Sequence, residues 1–347
     1  MNIWQRSSTP TCSDRDRPTR PRTAAVLLTA AFVCSLLGAV FFGSTATSVV
    51  QAVRAALAGD TADAAFRILV YVRLPRVCAA VLAGSALAVS GAVIQAVLQN
   101  PMAGPNVIGV NAGAGLAVTV CCALGLLSGW AIAGAAFGGA MLAVGLVTFA
   151  AEKTGASRTT VILGGVAVNS FLNALAEALR NLIPETATLS SDFRVGGFDA
   201  VSYTRLIPAG GLILLAMAVV LTLCSELDVL ALGEDTAQGL GLHVKRTRLV
   251  LLLLAALLAG SAVSFAGLVG FVGLIVPHAA RTLVGSESRK LLPLCALGGA
   301  GFVTVCDLAA RLLFAPYELP AGILLSVLGG PFFLYLLSKR KGGRRSD

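Results

Sequence analysis

Charge is what this sequence has least of. Asp, Glu, Lys and Arg make up 12% of its 347 residues, while 56% are hydrophobic; soluble domains carry roughly 25% charged residues. This composition excludes a water-soluble fold, because the chain has more apolar surface than one core can hide. Histidine is down to two residues, His243 and His278, and the eight cysteines never form a C-x-x-C pair. That argues against a metal centre, so Cys12, Cys34, Cys78, Cys121, Cys122, Cys224, Cys295 and Cys306 read as small buried apolar side chains. There is no G-x-x-x-x-G-K-[ST] loop, which excludes a P-loop nucleotide site on this chain. Lys153-Thr154-Gly155 matches the letters of a penicillin-binding element, but the serine motifs that element needs are missing.

What the chain does have is long apolar runs. Dyad alternation in segments of about ten residues, the mark of a membrane β-barrel, is not found. The runs are continuous and rich in Leu, Ala, Val and Gly, and helices satisfy their own backbone in hydrocarbon. Apolar segments cover Ala24–Phe42, Leu74–Leu98, Val107–Leu127, Trp130–Ala150, Thr159–Leu182, Leu206–Cys224, Leu249–Phe265, Leu268–Val284, Leu291–Phe314 and Ala321–Leu337. The sequence thus predicts an all-α membrane protein of about ten transmembrane helices, with both termini on one side.

Charge asymmetry predicts which side. With both ends cytoplasmic, all but eight of the 26 Lys and Arg residues fall inside, the exceptions being Arg54, Arg67, Arg73, Arg76, Arg180, Arg194, Arg205 and Arg311. The net charge of +9 then reflects topology, and no nucleic-acid partner is needed to explain it. Residues 1–22 read as a basic, disordered cytoplasmic tail, 23–338 as the transmembrane domain and 339–347 as a second basic tail. The first apolar run superficially resembles a secretory signal, but it is long and lacks a convincing cleavage site, so it reads as a retained span.

Three regions carry more polarity than a passive bundle needs. Ser225–Arg248 (SELDVLALGEDTAQGLGLHVKRTR), with breaks at Gly233, Gly239 and Gly241, reads as two short helices lying at the membrane surface. It is either an interfacial connector or a docking surface for a cytosolic partner. On the fifth segment, Asn169, Asn173 and Glu177 recur at i, i+4 and i+8. Such a stripe is costly against lipid, so it either bonds neighbouring helices or lines a watery pathway. Arg73, Arg76 and Arg311, with Asp307 one turn away, sit at outer helix ends against the positive-inside trend, as lipid anchors or as a site for an acidic partner. G-x-x-x-G spacing at Gly125–Gly129 and Gly134–Gly138 predicts close helix packing.

The order of motifs resembles a known family. Arg73-Leu74-Pro75-Arg76 is followed by GSALAVSG at 84–91, Gln95, Asn100-Pro101-Met102-Ala103 and GVNAGAG at 109–115. Later come Leu232-Gly233-Glu234, GLVGFVGLIVPH at 267–278, Asp307 with Arg311, ELPAG at 318–322 and LGGP at 328–331. In this register the sequence is similar to the permease subunits of ABC importers for iron-siderophores, haem and vitamin B12, over roughly Arg73 to Lys339. Around Phe193 to Phe198 the family's aromatic-rich segment lacks its Trp, with Arg194-Val195-Gly196-Gly197 in place.

The resemblance implies an inner-membrane subunit that is not itself an enzyme and binds no cofactor, ATP and Mg being handled by a separate cytoplasmic ATPase. It implies a coupling segment at 229–242 seated in that ATPase through Gly233, Glu234, Asp235, Ala237, Leu240 and Gly241. Arg73, Arg76 and Arg311 would face an extracytoplasmic substrate-binding protein, and Asn169, Asn173 and Glu177 would line a pathway between two permease copies or paralogues. Ferric siderophore is the first expectation for the cargo, with haem or cobalamin behind it. An ion-coupled transporter is the rival, but Glu177 and Asp307, the carboxylates within the spans, both lie toward outer ends. An embedded enzyme would need a His, Cys or carboxylate cluster that the sequence does not offer.

Overall fold

The computed structural model describes residues 21–43, 49–153, 158–315 and 317–342, and these are helical with no strand among them. In chain order the helices are α1 (Pro21–Phe41), α2 (Val49–Leu57), α3 (Ala64–Ile68), α4 (Leu74–Val97), α5 (Val110–Ala123), α6 (Gly129–Lys153), α7 (Arg158–Leu182), α8 (Glu185–Leu189), α9 (Ser191–Val195), α10 (Tyr203–Thr222), α11 (Cys224–Ala231), α12 (Glu234–Gly239), α13 (Val244–Ala266), α14 (Val272–Val284), α15 (Ser288–Leu312) and α16 (Ala321–Gly342). Six stretches are long and apolar enough to cross a bilayer: Ala64–Val97, Gly129–Ala151, Thr159–Leu182, Tyr203–Thr222, Val244–Ala266 and Ser288–Leu312. Four shorter apolar helices, Leu28–Phe41, Val110–Ala123, Val272–Val284 and Ala321–Tyr335, stand where the remaining predicted segments lie. Residues 1–20 and 343–347 of the two expected tails fall outside the described residues. α16 continues to Gly342, past the expected boundary at 338.

The second apolar segment was expected to start at Leu74, but helix begins ten residues earlier. Asp63 caps α3 by accepting from the amides of Ala65 and Phe66 at 2.8 and 3.1 Å. A π-helical turn over Leu69–Arg73 then carries the chain into α4. Pro75 explains the turn. Leu74 N–H bonds to the Leu69 carbonyl, and the Val70 carbonyl would next need an N–H that proline lacks. The Tyr203 hydroxyl of α10 donates to it instead, at 2.9 Å.

Two predicted spans are shorter as helices than their apolar runs. Val107–Leu127 and Leu268–Val284 read as continuous runs, yet the helices within them are 14 and 13 residues long and start inside the bundle. Hydropathy registers only apolarity, whereas Gly109 (φ +97°), following Pro101 and Pro105 in the gap before the run, delays the first helix, and Phe271 (φ +64°), following Gly267 (φ +70°), delays the second. Irregular backbone at membrane depth requires protein partners, and they are present. Asn169 Nδ2 donates to Asn106 O at 2.6 Å, Gln95 Nε2 to Gly273 O at 3.0 Å, and Leu268 N to Phe193 O at 2.8 Å. Residues 104–107 and 269–271 line one small cavity of about 40 Å³.

α4 and α13 form the centre of the bundle, with 78% and 72% of their apolar windows buried, against 22% for α7 at its edge. The closest approaches use glycine, but not the glycines the spacing suggested. A Cβ on Gly84 of α4 would lie 2.2 Å from the carbonyl oxygen of Gly299 on α15, and one on Gly91 would lie 2.0 Å from that of Gly273 on α14. A Cβ added at Gly125, Gly134 or Gly138 would meet nothing within 4 Å among the described residues, and one at Gly129 would meet the Arg205 side chain at 3.1 Å; spacing along one helix does not say which face meets a neighbour. The cysteine expectation also divides. Cys122, Cys224, Cys295 and Cys306 are buried and Cys121 is half-buried, but Cys34 and Cys78 are exposed, and Cys12 lies outside the described residues.

Candidate functional site

The segment from α11 to α12 forms the two short helices that the sequence predicts, set across one end of the bundle. Leu227 and Leu230 of α11 and Ala237 of α12 are at most 1% exposed, so one face of each helix is anchored. The turn between them depends on Gly233, whose φ of +124° a side chain rarely tolerates. Its carbonyl accepts from Ala237 N at 2.9 Å, opening α12, and Glu234 and Asp235 complement the positive end of that helix. α12 closes through a paired C-terminal motif: Leu242 N donates to Ala237 O and Gly241 N to Gln238 O, both at 2.9 Å, with Gly241 at φ +83°. Leu232 and Leu240 project outward, 66% and 64% exposed, from an otherwise polar surface.

Side chains that sequence reasoning did not single out hold this turn. Arg248 of α13, 4% exposed, pairs with Glu234. Gln99, at φ +46°, donates to the Leu230 and Ala231 carbonyls at 3.0 and 2.8 Å, satisfying acceptors at the end of α11. Behind the turn lies a cavity of about 290 Å³ bounded by the ends of α4, α11, α14 and α15. Asp228 accepts from Ser288 N at 2.9 Å across it and caps the start of α15. Arg281 also lines it, bonded to Gln95 Oε1 and, at 3.5 Å, to Ala92 O. No carboxylate lies in ion-pair range of Arg281 among the described residues. The only sequence signal for these groups was proximity to the motifs, Gln99 just before Asn100-Pro101 and Arg281 three residues after His278.

At the opposite end the structure brings Arg73, Arg76 and Arg311 together and turns all three inward, at 4%, 5% and 2% exposure. Arg76 grips Asp307 in fork geometry, with Nε–Oδ1, Nε–Oδ2 and Nη2–Oδ1 distances of 3.1, 3.2 and 2.9 Å. Its Nη1 reaches Glu318 at 2.5 Å. Arg311 Nε lies 3.1 Å from the other oxygen of Asp307. Arg73 Nη1 donates to Val40 O and Phe41 O at 3.0 and 3.3 Å, and Arg311 Nη2 to Ala39 O at 3.5 Å, so two of these arginines serve the last carbonyls of α1. Glu318, with its side chain 33% exposed, forms the rim of the cluster.

On α7 the polar stripe stays together but divides in role. Asn169 is tied to the irregular segment before α5, and its Oδ1 is buried with no partner among the described residues. Asn173 and Glu177 face outward, and Glu177 pairs with Arg180, which also reaches Thr119 Oγ1 at 3.5 Å. Buried positions Val161, Gly165, Leu172 and Ala176 occupy the neighbouring face.

A bundle of apolar helices, two of them starting within it, with a structured turn projecting from one end, defines a multi-pass membrane transport protein. The model of the FecCD transport family matches residues 27–339, and the chain belongs to that family of ABC permease subunits. It is 38% identical over 320 residues to an achromobactin transport system permease protein from Dickeya dadantii, covering 91% of this chain and 90% of that protein. It is 37% identical over 292 residues to a hemin transport system permease protein from Yersinia pestis, covering 82% and 87% respectively. Its fold is similar to an inward-facing structure of a metal-chelate type ABC transporter, with a TM-score of 0.80 and 28% identity over 92% of this chain and all of that one.

Proposed function

We propose that this chain is the membrane-spanning subunit of an ATP-driven importer in the inner membrane, and that it carries a ferric siderophore inward by alternating access. Ten spans with both termini cytoplasmic place the α11–α12 turn on the cytoplasmic side, where a separate ATPase would grip it. The observation that carries the reading is the form of that turn: two outward leucines on a polar surface, held by buried Ala237 and by the Glu234–Arg248 pair. Exposed apolar side chains at a rigid, glycine-shaped turn suit a groove on a partner better than they suit water. The α7 stripe then lines a pathway shared with a second copy or paralogue, which accounts for outward Asn173 and Glu177 without exposing them to lipid.

The far-end arginines keep their proposed role in docking a substrate-binding protein, with one condition added by their burial. An acidic partner has to compete with Asp307 and Glu318, and Glu318 at the rim is the first carboxylate it would displace. The cargo assignment rests on the iron-siderophore members of the family, while haem and cobalamin are the alternatives. Co-purification tests the coupling assignment. Tagged chain carrying Gly233→Trp with Glu234→Lys should insert in the membrane normally and lose its cognate ATPase; undiminished ATPase recovery would reject the assignment.

A further inference from the structure

Between α1 and α4, α2 packs against α3 as a helical hairpin, with Ala52 of one and Ala65 of the other buried. Both helices are closed at its turn. Asp60 N donates to Ala55 O at 2.9 Å and Gly59 N to Ala56 O at 3.2 Å, with Gly59 at φ +73°, so α2 ends in the same paired motif as α12. Asp63 caps the start of α3. The hairpin also has a definite height. Arg73 at its foot donates to the Val40 and Phe41 carbonyls, level with the outer end of α1. From there the helix over 64–73 continues for about 14 Å in the proposed orientation. The headgroups on one side of a bilayer occupy about 5–8 Å, so the tip stands in water.

One face of α2 is unusual for that place. At ~100° per residue, Val53, Leu57, Val50 and Arg54 fall in that order within one arc of about 100°, roughly opposite Ala52. All four are exposed, Leu57 to 84%, so this patch points away from α3. Exposed Arg67 of α3 adds a second cation to the hairpin. Neither Arg54 nor Arg67 has a carboxylate in ion-pair range among the described residues, unlike buried Arg76 and Arg311. An apolar patch edged by cations and held in water suits a protein surface. Lipid tails lie below it, and a second copy meeting it patch to patch would set arginine against arginine. We propose that the α2–α3 hairpin is an outer contact for the substrate-binding protein, receiving an apolar patch on Val53 and Leu57 and a carboxylate on Arg54. Contact here leaves the pairs of Asp307 and Glu318 intact, so docking begins before any buried pair opens. The inference rests on the reading of this chain as an importer served by such a protein.

Biolayer interferometry of the full chain in nanodiscs against its cognate binding protein tests the contact. Leu57→Gln, a change at an exposed residue that leaves the thermal midpoint in place, should weaken binding about tenfold. Arg54→Glu should weaken it about fivefold at roughly 50 mM salt and far less near ~1 M, where the charge is screened. Wild-type affinity in both variants would overturn the inference and leave the importer reading standing, since the unaltered chain still binds. Absence of binding by the unaltered chain would reject that reading and this inference with it. A second measurement separates protein from lipid. Emission of Leu57→Trp should be shielded from acrylamide by the binding protein and unaffected by brominated lipid, whereas quenching by the lipid would place the patch in the bilayer and overturn the proposal.

Discussion

The two ends of the bundle carry motifs that look alike in the sequence and differ in construction. Arg73-Leu74-Pro75-Arg76 and Leu232-Gly233-Glu234 are both short, charged and placed at helix ends. In three dimensions the first pair of arginines is folded inward onto Asp307, Glu318 and the last carbonyls of α1, and leaves Glu318 at its rim. The second motif throws Leu232 and Leu240 outward and keeps one ion pair, Glu234–Arg248, as its anchor. Charge in a motif thus says little about exposure. Counterions decide it: a cation with a carboxylate one helix away can be drawn into the protein, and an apolar residue beside a glycine turn can be pushed out.

The largest effect should come from breaking the inward end. Asp307→Ala removes the carboxylate shared by Arg76 and Arg311, leaving two guanidiniums buried with one counterion fewer, at a cost on the order of 3–5 kcal/mol. Thermal unfolding in detergent should show a large drop in midpoint; wild-type stability would mean that the cluster is hydrated and open. Next comes the shape of the outward end. Gly233→Val forces a β-branched residue to φ +124°, a strain of about 1–3 kcal/mol, and should abolish ATPase recovery in co-purification while bilayer insertion persists.

Leu240→Asp sharpens the comparison further, because it changes an exposed side chain and should leave stability within about 0.5 kcal/mol. Association with the ATPase should fall all the same, and a variant that binds normally would place the contact elsewhere on the turn. The smallest effect is expected at Gln99→Ala. It frees two carbonyls at the end of α11 that face solvent in part, for a loss of about 1 kcal/mol, visible as faster amide exchange over α11 with little change in the bundle.

Much of this was legible in the sequence. The apolar runs gave the long helices, and glycine breaks between polar stretches gave α11 and α12, because composition and local backbone preference act within one segment. The gaps themselves were legible, since the apolar runs stop at Leu98 and Phe265 and resume at Val107 and Leu268, but their extension to 109 and 271 was hidden. An apolar window averages over Gly109 or Phe271, and the partners that make such a break tolerable, Asn169 and Gln95, are remote in sequence. Inter-helix glycine contacts were hidden for the same reason: Gly84 meets Gly299 across more than two hundred residues. The α7 stripe was legible as a pattern, while the engagement of Asn169 and the outward direction of Asn173 required the fold.

The central claim is that energy enters through the projecting turn and is supplied by another protein. Its most direct measurement is uptake of radiolabelled ferric siderophore into proteoliposomes containing this chain, with a cognate ATPase and binding protein supplied or withheld. The account predicts uptake only with both partners and ATP, lost when Gly233 and Glu234 are replaced. ATP-independent uptake by the chain alone would contradict it.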